Sequence, residues 1–176
     1  ICLFSKRKNR IIKIFNLKTK SIKSNKDLKV FFKKRKLFSK KFFLKKALFA
    51  SVVPSTYILF KKFLKKELGI TSSEIKDKNI KKNIKIKVKN PQQVGSDRIA
   101  NASGVAKIYK SNCIIIDFGT ATTFDVVTKN GIYKGGVIAP GIELSMKNLY
   151  MAAAQLPLLN IKKVKRIIGK NTLEAM

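Results

Sequence analysis

The 176-residue sequence contains no histidine and no tryptophan, and it has only two cysteines, four prolines and nine acidic residues. Without histidine, this chain cannot form a Ser-His-Asp or Cys-His nucleophile system or a histidine-containing zinc site. Two cysteines, Cys2 and Cys113, are too few for a four-thiolate metal site or a disulfide scaffold. Both cysteines lie in apolar runs, which favours a reduced, intracellular protein.

Long apolar runs are also missing. No stretch approaches the ~20 uncharged apolar residues that a membrane-spanning helix needs, so we expect no membrane association. The sequence begins at Ile1 with an apolar run already under way, which predicts that it starts inside an element.

The shortage of acidic residues leaves a formal net charge of +31, with 40 lysines and arginines. Residues 1–89 carry 29 basic and 4 acidic side chains, whereas residues 90–176 carry 11 and 5. Such a basic half is typical of nucleic-acid-binding modules. However, lysine outnumbers arginine 35 to 5, and nucleic-acid readers favour arginine. We therefore favour compositional drift, with a solvated lysine surface over an ordinary core, and expect no specific nucleic acid partner.

The hydrophobic pattern of the first half predicts alternating strands and helices. Extended segments are predicted at residues 1–4 and 10–17, with Ile12, Ile14 and Phe15 turned inward. A helix is predicted to begin at Ser24 or Asp27, and apolar residues recur at helical spacing as far as Phe43. This basic, amphipathic helix could lie on an anionic membrane, but we favour a helix docked on the core with a lysine rim.

The remaining elements complete an α/β pattern. Predicted strands are 47–53, 83–88, 113–118, 122–128 and 132–138. Predicted helices are 55–68, which ends at Gly69, 94–109, 141–154, and a last element near Asn171. Tight turns containing Gly119 and Asn130-Gly131 join the last three strands into an antiparallel unit.

The strongest chemical signal is the segment IIIDFGTATTFD over residues 114–125. An apolar strand delivers Asp117 at its end, Gly119 permits a tight turn, and small hydroxyl residues lead into the next strand. Such a turn directs N–H and hydroxyl groups at phosphate oxygens, while the carboxylate holds a cation. This is the phosphate-binding pattern of sugar kinases, heat-shock ATPases and actin. The alternative is an ordinary hairpin with a capping aspartate.

Three further segments carry candidate ligand contacts. NPQQVGSDR, residues 90–98, places Asp97 and Arg98 at a helix start, either as a base with an anion-binding arginine or as a helix cap with a neighbouring partner. GGVIAPGI, residues 135–142, is a glycine-rich passage from strand to helix, suited to ligand approach or to close packing. IGKNT, residues 168–172, ends at Thr172, which could cap a helix or bind a ligand.

These four segments, in this order, together with ASVVP at 50–54, resemble the type III pantothenate kinases over essentially the whole chain. The resemblance implies an actin-like ATPase (ribonuclease H-like) fold with two related halves. It also implies phosphorylation of pantothenate by ATP, the first step of coenzyme A biosynthesis, in a cytoplasmic homodimer. ATP with a divalent metal such as Mg²⁺, and a monovalent cation (K⁺ or NH₄⁺), would be required.

The same resemblance assigns residues. Gly95, Ser96, Asp97 and Arg98 match the pantothenate-binding segment, with Asp97 as the proton acceptor, and Thr172 matches a further substrate-binding position. Thr120 matches the ATP-contacting threonine, and Asp117 matches the ligand of the monovalent cation. The family has a substrate-contacting tyrosine nine residues before the catalytic aspartate, where this chain has Val88.

The resemblance also predicts how the chain is divided. Residues 1–111 would form the first actin-like half without its first strand and phosphate turn, and would carry the substrate segment. Residues 112–176 would begin the second half and carry the turn for phosphate and cation. The chain would then be incomplete at both ends and inactive by itself. A non-enzymatic transcription accessory, or a basic nucleic-acid-binding module on the same fold, is the alternative function.

Overall fold

Strands and helices alternate along the chain, as the hydrophobic pattern predicts. The structure is a computed structural model that describes residues 1–38, 44–77, 84–161 and 166–176. Two compact units are formed, Ile1–Ile80 with Gly95–Asp97, and Lys81–Val94 with Arg98–Met176. The α/β class is confirmed, while the division into related halves near residue 111 stays a prediction. Neither cysteine forms a disulfide.

Among its described residues, the first unit contains two small sheets and two helices. Strands β1 (Cys2–Ser5) and β2 (Arg10–Ile14) form an antiparallel hairpin, and β3 (Ala47–Phe49) pairs in parallel with β4 (Ser72–Glu74). The helices are α1 (Asn25–Lys34) and α2 (Pro54–Leu68). Their apolar faces meet in a core that includes Leu28, Phe32 and Phe63, so the docked α1 expected from the sequence is confirmed.

Two local predictions for this unit are wrong. Ile12 and Ile14 are exposed, because β2 pairs only with β1 and every residue of β2 faces solvent, whereas Phe15 is buried. Helix α1 ends at Lys34 because Arg35 leaves the helical conformation and Lys36 adopts a positive φ of 55°. Leu37 is still buried beyond the helix end, and Phe43 lies outside the described residues.

The second unit is built on a four-stranded sheet in the order β5-β8-β7-β6. Its strands are β5 (Lys85–Ile86), β6 (Cys113–Phe118), β7 (Ala121–Val127) and β8 (Ile132–Pro140). The last three strands each run antiparallel to their neighbour in the sheet, which confirms the predicted unit, and β5 runs parallel to β8.

Three further helices follow the same sequence signals. They are α3 (Ser96–Tyr109), whose first two residues belong to the first unit, α4 (Ile142–Ala152) and α5 (Thr172–Ala175). Helix α3 begins later than predicted, because a 3₁₀ turn at Pro91–Gln93 precedes it. No helix in the described part of the chain is long and apolar enough to cross a membrane.

The two faces of the sheet in the second unit differ. In β6, Ile114, Ile116 and Phe118 are exposed on one face, while the alternate residues, Asp117 among them, are half-buried on the other. Asp125 of β7 lies on the same face as Asp117, because it is paired with Ile115. Two acidic side chains therefore share the covered face of the sheet.

Candidate active site

The turn between β6 and β7 carries the predicted phosphate and cation residues. Gly119 N–H donates to the Ala121 carbonyl over 3.0 Å, which closes the turn and leaves Thr120 exposed at its tip. Asp117 lies two residues earlier and is half-buried. Its Oδ2 accepts a 2.7 Å hydrogen bond from Asn101 Nδ2 of α3. The predicted alternative, an aspartate bonded to the turn backbone, is not what the structure contains, because the partner of Asp117 is a helix side chain.

The start of α4 packs directly on this turn. Gly141, the residue before α4, donates its N–H to the Thr120 carbonyl over 3.0 Å. A Cβ atom at position 141 would lie 2.2 Å from the Gly119 oxygen and 2.5 Å from the Thr120 oxygen. Only glycine fits at position 141, which explains the second glycine-containing part of the GGVIAPGI segment. The positive end of the helix dipole, with its free N–H groups, is thereby brought to the Gly119-Thr120 turn, an arrangement suited to anions.

Arg98 is held on the covered face of the sheet by a buried carboxylate. Asp125 is 0% exposed, and its Oδ1 accepts from Arg98 Nε at 2.8 Å and from Arg98 Nη2 at 2.6 Å. Tyr133 Oη donates to the same oxygen at 2.7 Å. Burial, followed by this hydrogen bond to Asp125, raises the pKa of Tyr133 to about 12, so the phenol keeps its proton and remains a donor.

Asp125 is the partner of Arg98 that the sequence did not reveal. The sequence suggested a neighbouring partner for Arg98, but the structure pairs it with a residue 27 positions away. The signal was present in the strand alternation, which places residue 125 on the same covered face as Asp117.

The rest of the substrate segment belongs to the first unit. Ser96 is buried, and its hydroxyl donates to the Glu74 carboxylate at the end of β4. Asp97, the predicted proton acceptor, is exposed. Gly95 is half-buried immediately before them.

The two remaining predicted positions lie in the second unit. Thr172 is the exposed first residue of α5, and Asn171 caps this helix by accepting from Glu174 N–H at 2.9 Å. Thr172 is therefore not the cap, which removes one of its two predicted roles. Val88 is half-buried, with its Cγ1 3.5 Å from where a Cβ on Gly135 would lie.

Oxygen ligands for a cation are few. In the described ranges, no group of three or more histidine, cysteine, aspartate or glutamate side chains lies close enough to hold a metal ion. Asp117 supplies a single carboxylate with one oxygen engaged by Asn101. Such a donor fits an ion that completes its shell with backbone oxygens, water or phosphate better than a fully caged divalent metal.

Comparison with known proteins agrees with the motif resemblance. The sequence model of the type III pantothenate kinases matches residues 2–176. The type III pantothenate kinase of Pelagibacter ubique is 48% identical over 179 residues, which cover 100% of this chain and 68% of that protein. The enzyme of Hyphomonas neptunium is 43% identical over 127 residues, covering 72% of this chain and 50% of that protein.

Most of these relatives are considerably longer than the matched region, and the chain spans about half of the Hyphomonas enzyme. Among solved structures, a Baf family protein from Campylobacter jejuni is similar with a TM-score of 0.44 and 22% identity, over 77% of this chain and 58% of the other. That likeness is too distant to carry an argument. The family model, matching nearly every residue, carries the assignment. The chain belongs to the type III pantothenate kinase family.

Proposed function

We propose that this protein transfers the γ-phosphoryl group of ATP to the primary hydroxyl of pantothenate, which forms 4'-phosphopantothenate and ADP. The observation that carries the proposal is the match of the kinase family model to residues 2–176. We further propose that the enzyme is a cytoplasmic homodimer. Neither a specific nucleic acid nor a membrane is needed for this activity.

In this reaction Asp97 would accept the proton of the substrate hydroxyl. The hydroxyl oxygen forms a bond to the γ-phosphorus as the bond to the ADP oxygen breaks in line with it. An exposed carboxylate can be reached by a substrate hydroxyl, as such a base requires. Arg98 would bind the substrate carboxylate by charge-assisted hydrogen bonds. Gly95, Ser96 and Thr172 would complete the pantothenate contacts.

The Gly119-Thr120 turn and the beginning of α4 would receive the phosphates of ATP. Thr120 is exposed, and the N-terminal end of α4 is next to it through the hydrogen bond of Gly141. Helix N-termini stabilise negative charge, and a divalent metal bound with ATP neutralises the phosphates. Asp117 would hold K⁺ or NH₄⁺, since large, weakly hydrated ions accept a mixed set of oxygen ligands.

A product assay with the full-length protein tests this function. With ATP, Mg²⁺ and K⁺, we expect mass spectrometry to show pantothenate gaining one phosphate, with one ADP formed per product. A matched analogue in which hydrogen replaces the primary hydroxyl should give no phosphorylated product. ATP turnover that is unaffected by pantothenate, or phosphorylation of the analogue, would contradict the proposal.

A further inference from the structure

We propose that Asp125 is a positioning residue that fixes the guanidinium of Arg98 in the orientation needed to bind the substrate carboxylate. This inference rests on the proposed function, because it takes Arg98 as a pantothenate contact. Asp125 is fully buried, so it cannot touch substrate and acts only through Arg98.

The geometry of the Asp125 carboxylate supports this role. Three donors, Arg98 Nε, Arg98 Nη2 and Tyr133 Oη, converge on Oδ1 within 2.6–2.8 Å. Thr123 Oγ1 approaches the other oxygen at 3.4 Å. Two contacts from one planar guanidinium to one oxygen restrict its rotation in a way that a single contact does not.

Gly136 makes room for this arrangement. It lies directly opposite Asp125 in the β7–β8 pairing. A Cβ atom at position 136 would lie 2.9 Å from Arg98 Nη2, 2.9 Å from Asp125 Oδ1 and 1.9 Å from the Phe124 carbonyl oxygen. A side chain at position 136 would thus meet the β7 backbone as well as both members of the pair, so glycine at this position suits the strand pairing and the Arg98–Asp125 contact together.

Tyr133, which lies on β8 like Gly136, contacts both members of the Arg98–Asp125 pair. Its hydroxyl bonds to Asp125, and the Arg98 guanidinium lies 5.9 Å from the centre of its ring. The Arg98 side chain is still 14% exposed, so it is accessible enough to bind a ligand. A guanidinium whose orientation is fixed by buried partners loses less conformational freedom when an anionic ligand binds.

A purely structural role is the competing explanation. Buried ion pairs contribute little net stability, while breaking one leaves a buried charge without a partner. If stability were the only role, Asp125→Asn would lower the melting temperature and leave the affinity of the remaining folded protein for pantothenate unchanged. The two roles therefore differ in what the folded variant binds.

The test uses the full-length protein with Asp125→Asn, which nearly keeps the shape of the side chain and removes its charge. We expect the KM for pantothenate to rise about tenfold, because a charge-assisted contact is lost, with kcat and the KM for ATP little changed. Calorimetric titration of pantothenate without ATP should show the same loss. A second variant, Tyr133→Phe, removes one donor to Asp125, and we expect it to raise the KM for pantothenate by about twofold. Its matched control is Tyr150→Phe, at an exposed tyrosine of α4.

Unchanged pantothenate affinity in folded Asp125→Asn would overturn the inference, as would a loss confined to kcat. If that variant does not fold, Tyr133→Phe decides, because it removes one donor to Asp125 and leaves the ion pair in place. Unchanged pantothenate affinity in Tyr133→Phe would then overturn the inference. A wild-type protein that neither binds nor phosphorylates pantothenate would instead refute the proposed function. If the wild-type protein binds and phosphorylates pantothenate, and Asp125→Asn does so with the same affinity and rate, only the positioning role is refuted.

Discussion

Three carboxylates in residues 90–176 differ clearly from one another in how deeply they are buried. Asp125 is fully buried and accepts from Arg98, Tyr133 and Thr123. Asp117 is half-buried with one donor from Asn101, and Asp97 is exposed. Burial decides what each carboxylate can reach. A fully buried carboxylate can only orient a neighbour, a half-buried one can ligate an ion, and an exposed one can take a proton from a substrate.

Asp117→Asn should raise the potassium concentration needed for half-maximal rate in the full-length protein, because an amide is a weaker cation ligand than a carboxylate. The pH profile of kcat/KM should not move, since Asp117 takes no part in proton transfer. Steady-state rates across a potassium series measure this. Asn101→Ala is the matched control, because it removes the hydrogen bond to Asp117 and keeps the carboxylate. Lower stability with an unchanged potassium requirement would show that Asp117 is structural.

Tyr133 gives a second residue-level prediction, at alkaline pH. Its pKa is raised from 10.0 to about 12 by burial and by Asp125, so the folded state binds the phenolic proton more tightly than the unfolded state does. The resulting stability is fully present below pH 10 and is lost as the pH rises towards 12.

Urea unfolding between pH 9 and 12 should therefore show a steeper loss of stability for wild type than for Tyr133→Phe. Tyr150→Phe, at an exposed position, should behave like wild type. Parallel slopes for wild type and Tyr133→Phe would contradict the shifted pKa.

Secondary-structure elements were predictable where local chemistry determines their ends. Pro54 opens α2 and Gly69 ends it with a φ of 66°, and Ser24 caps α1 in a reciprocal pair of hydrogen bonds with Asp27. Features decided by tertiary contacts were not predictable. The alternation of Ile12 and Ile14 indicated burial, yet no described layer covers β2.

The candidate site follows the same rule. Motif order indicates Asp97, Asp117 and Thr120 as candidates, and strand alternation predicted the antiparallel unit that carries the last two. The sequence did not reveal the Arg98–Asp125 pair or the Asn101–Asp117 hydrogen bond. Each joins side chains that only folding brings together, 27 and 16 residues apart.

A pair of glycine substitutions tests how the helix ends are determined. Gly69 has a positive φ, and no atom lies within 4 Å of the position that a Cβ would take there, so Gly69→Ala should cost about 1 kcal/mol of unfolding free energy through backbone strain alone. Gly104, inside α3, has equally open surroundings without the positive φ. Gly104→Ala should therefore stabilise by about 0.5–1 kcal/mol. Urea unfolding of both variants measures these changes, and the same sign for both would contradict the assignment of Gly69 as a left-handed helix cap.

Over the full sequence, the dominant property is charge. With 40 basic and nine acidic residues, most basic side chains cannot have an acidic partner of their own. Lys29–Glu67 is a pair of the exposed kind, which contributes little stability. The excess of positive charge attracts polyanions without selecting among them, and it is the only feature that favours the alternative of a nucleic-acid-binding module.

A titration of the full-length protein with two unrelated DNA duplexes separates these possibilities. We expect equal affinities for both duplexes, falling steeply as salt rises, because counterion release would be the only source of binding. ATP and pantothenate should not change that salt dependence. A preference for one duplex that persists at high salt would favour the nucleic-acid-binding module.

The most direct measurement is the rate of pantothenate phosphorylation by Asp97→Asn beside wild type, with pantothenate affinity measured by calorimetry on the same samples. If Asp97 accepts the hydroxyl proton, the rate should fall about 100-fold or more, while pantothenate still binds. Asp125→Asn should show the reverse pattern, with weaker binding and a preserved kcat. An unchanged rate in Asp97→Asn would remove Asp97 from the mechanism.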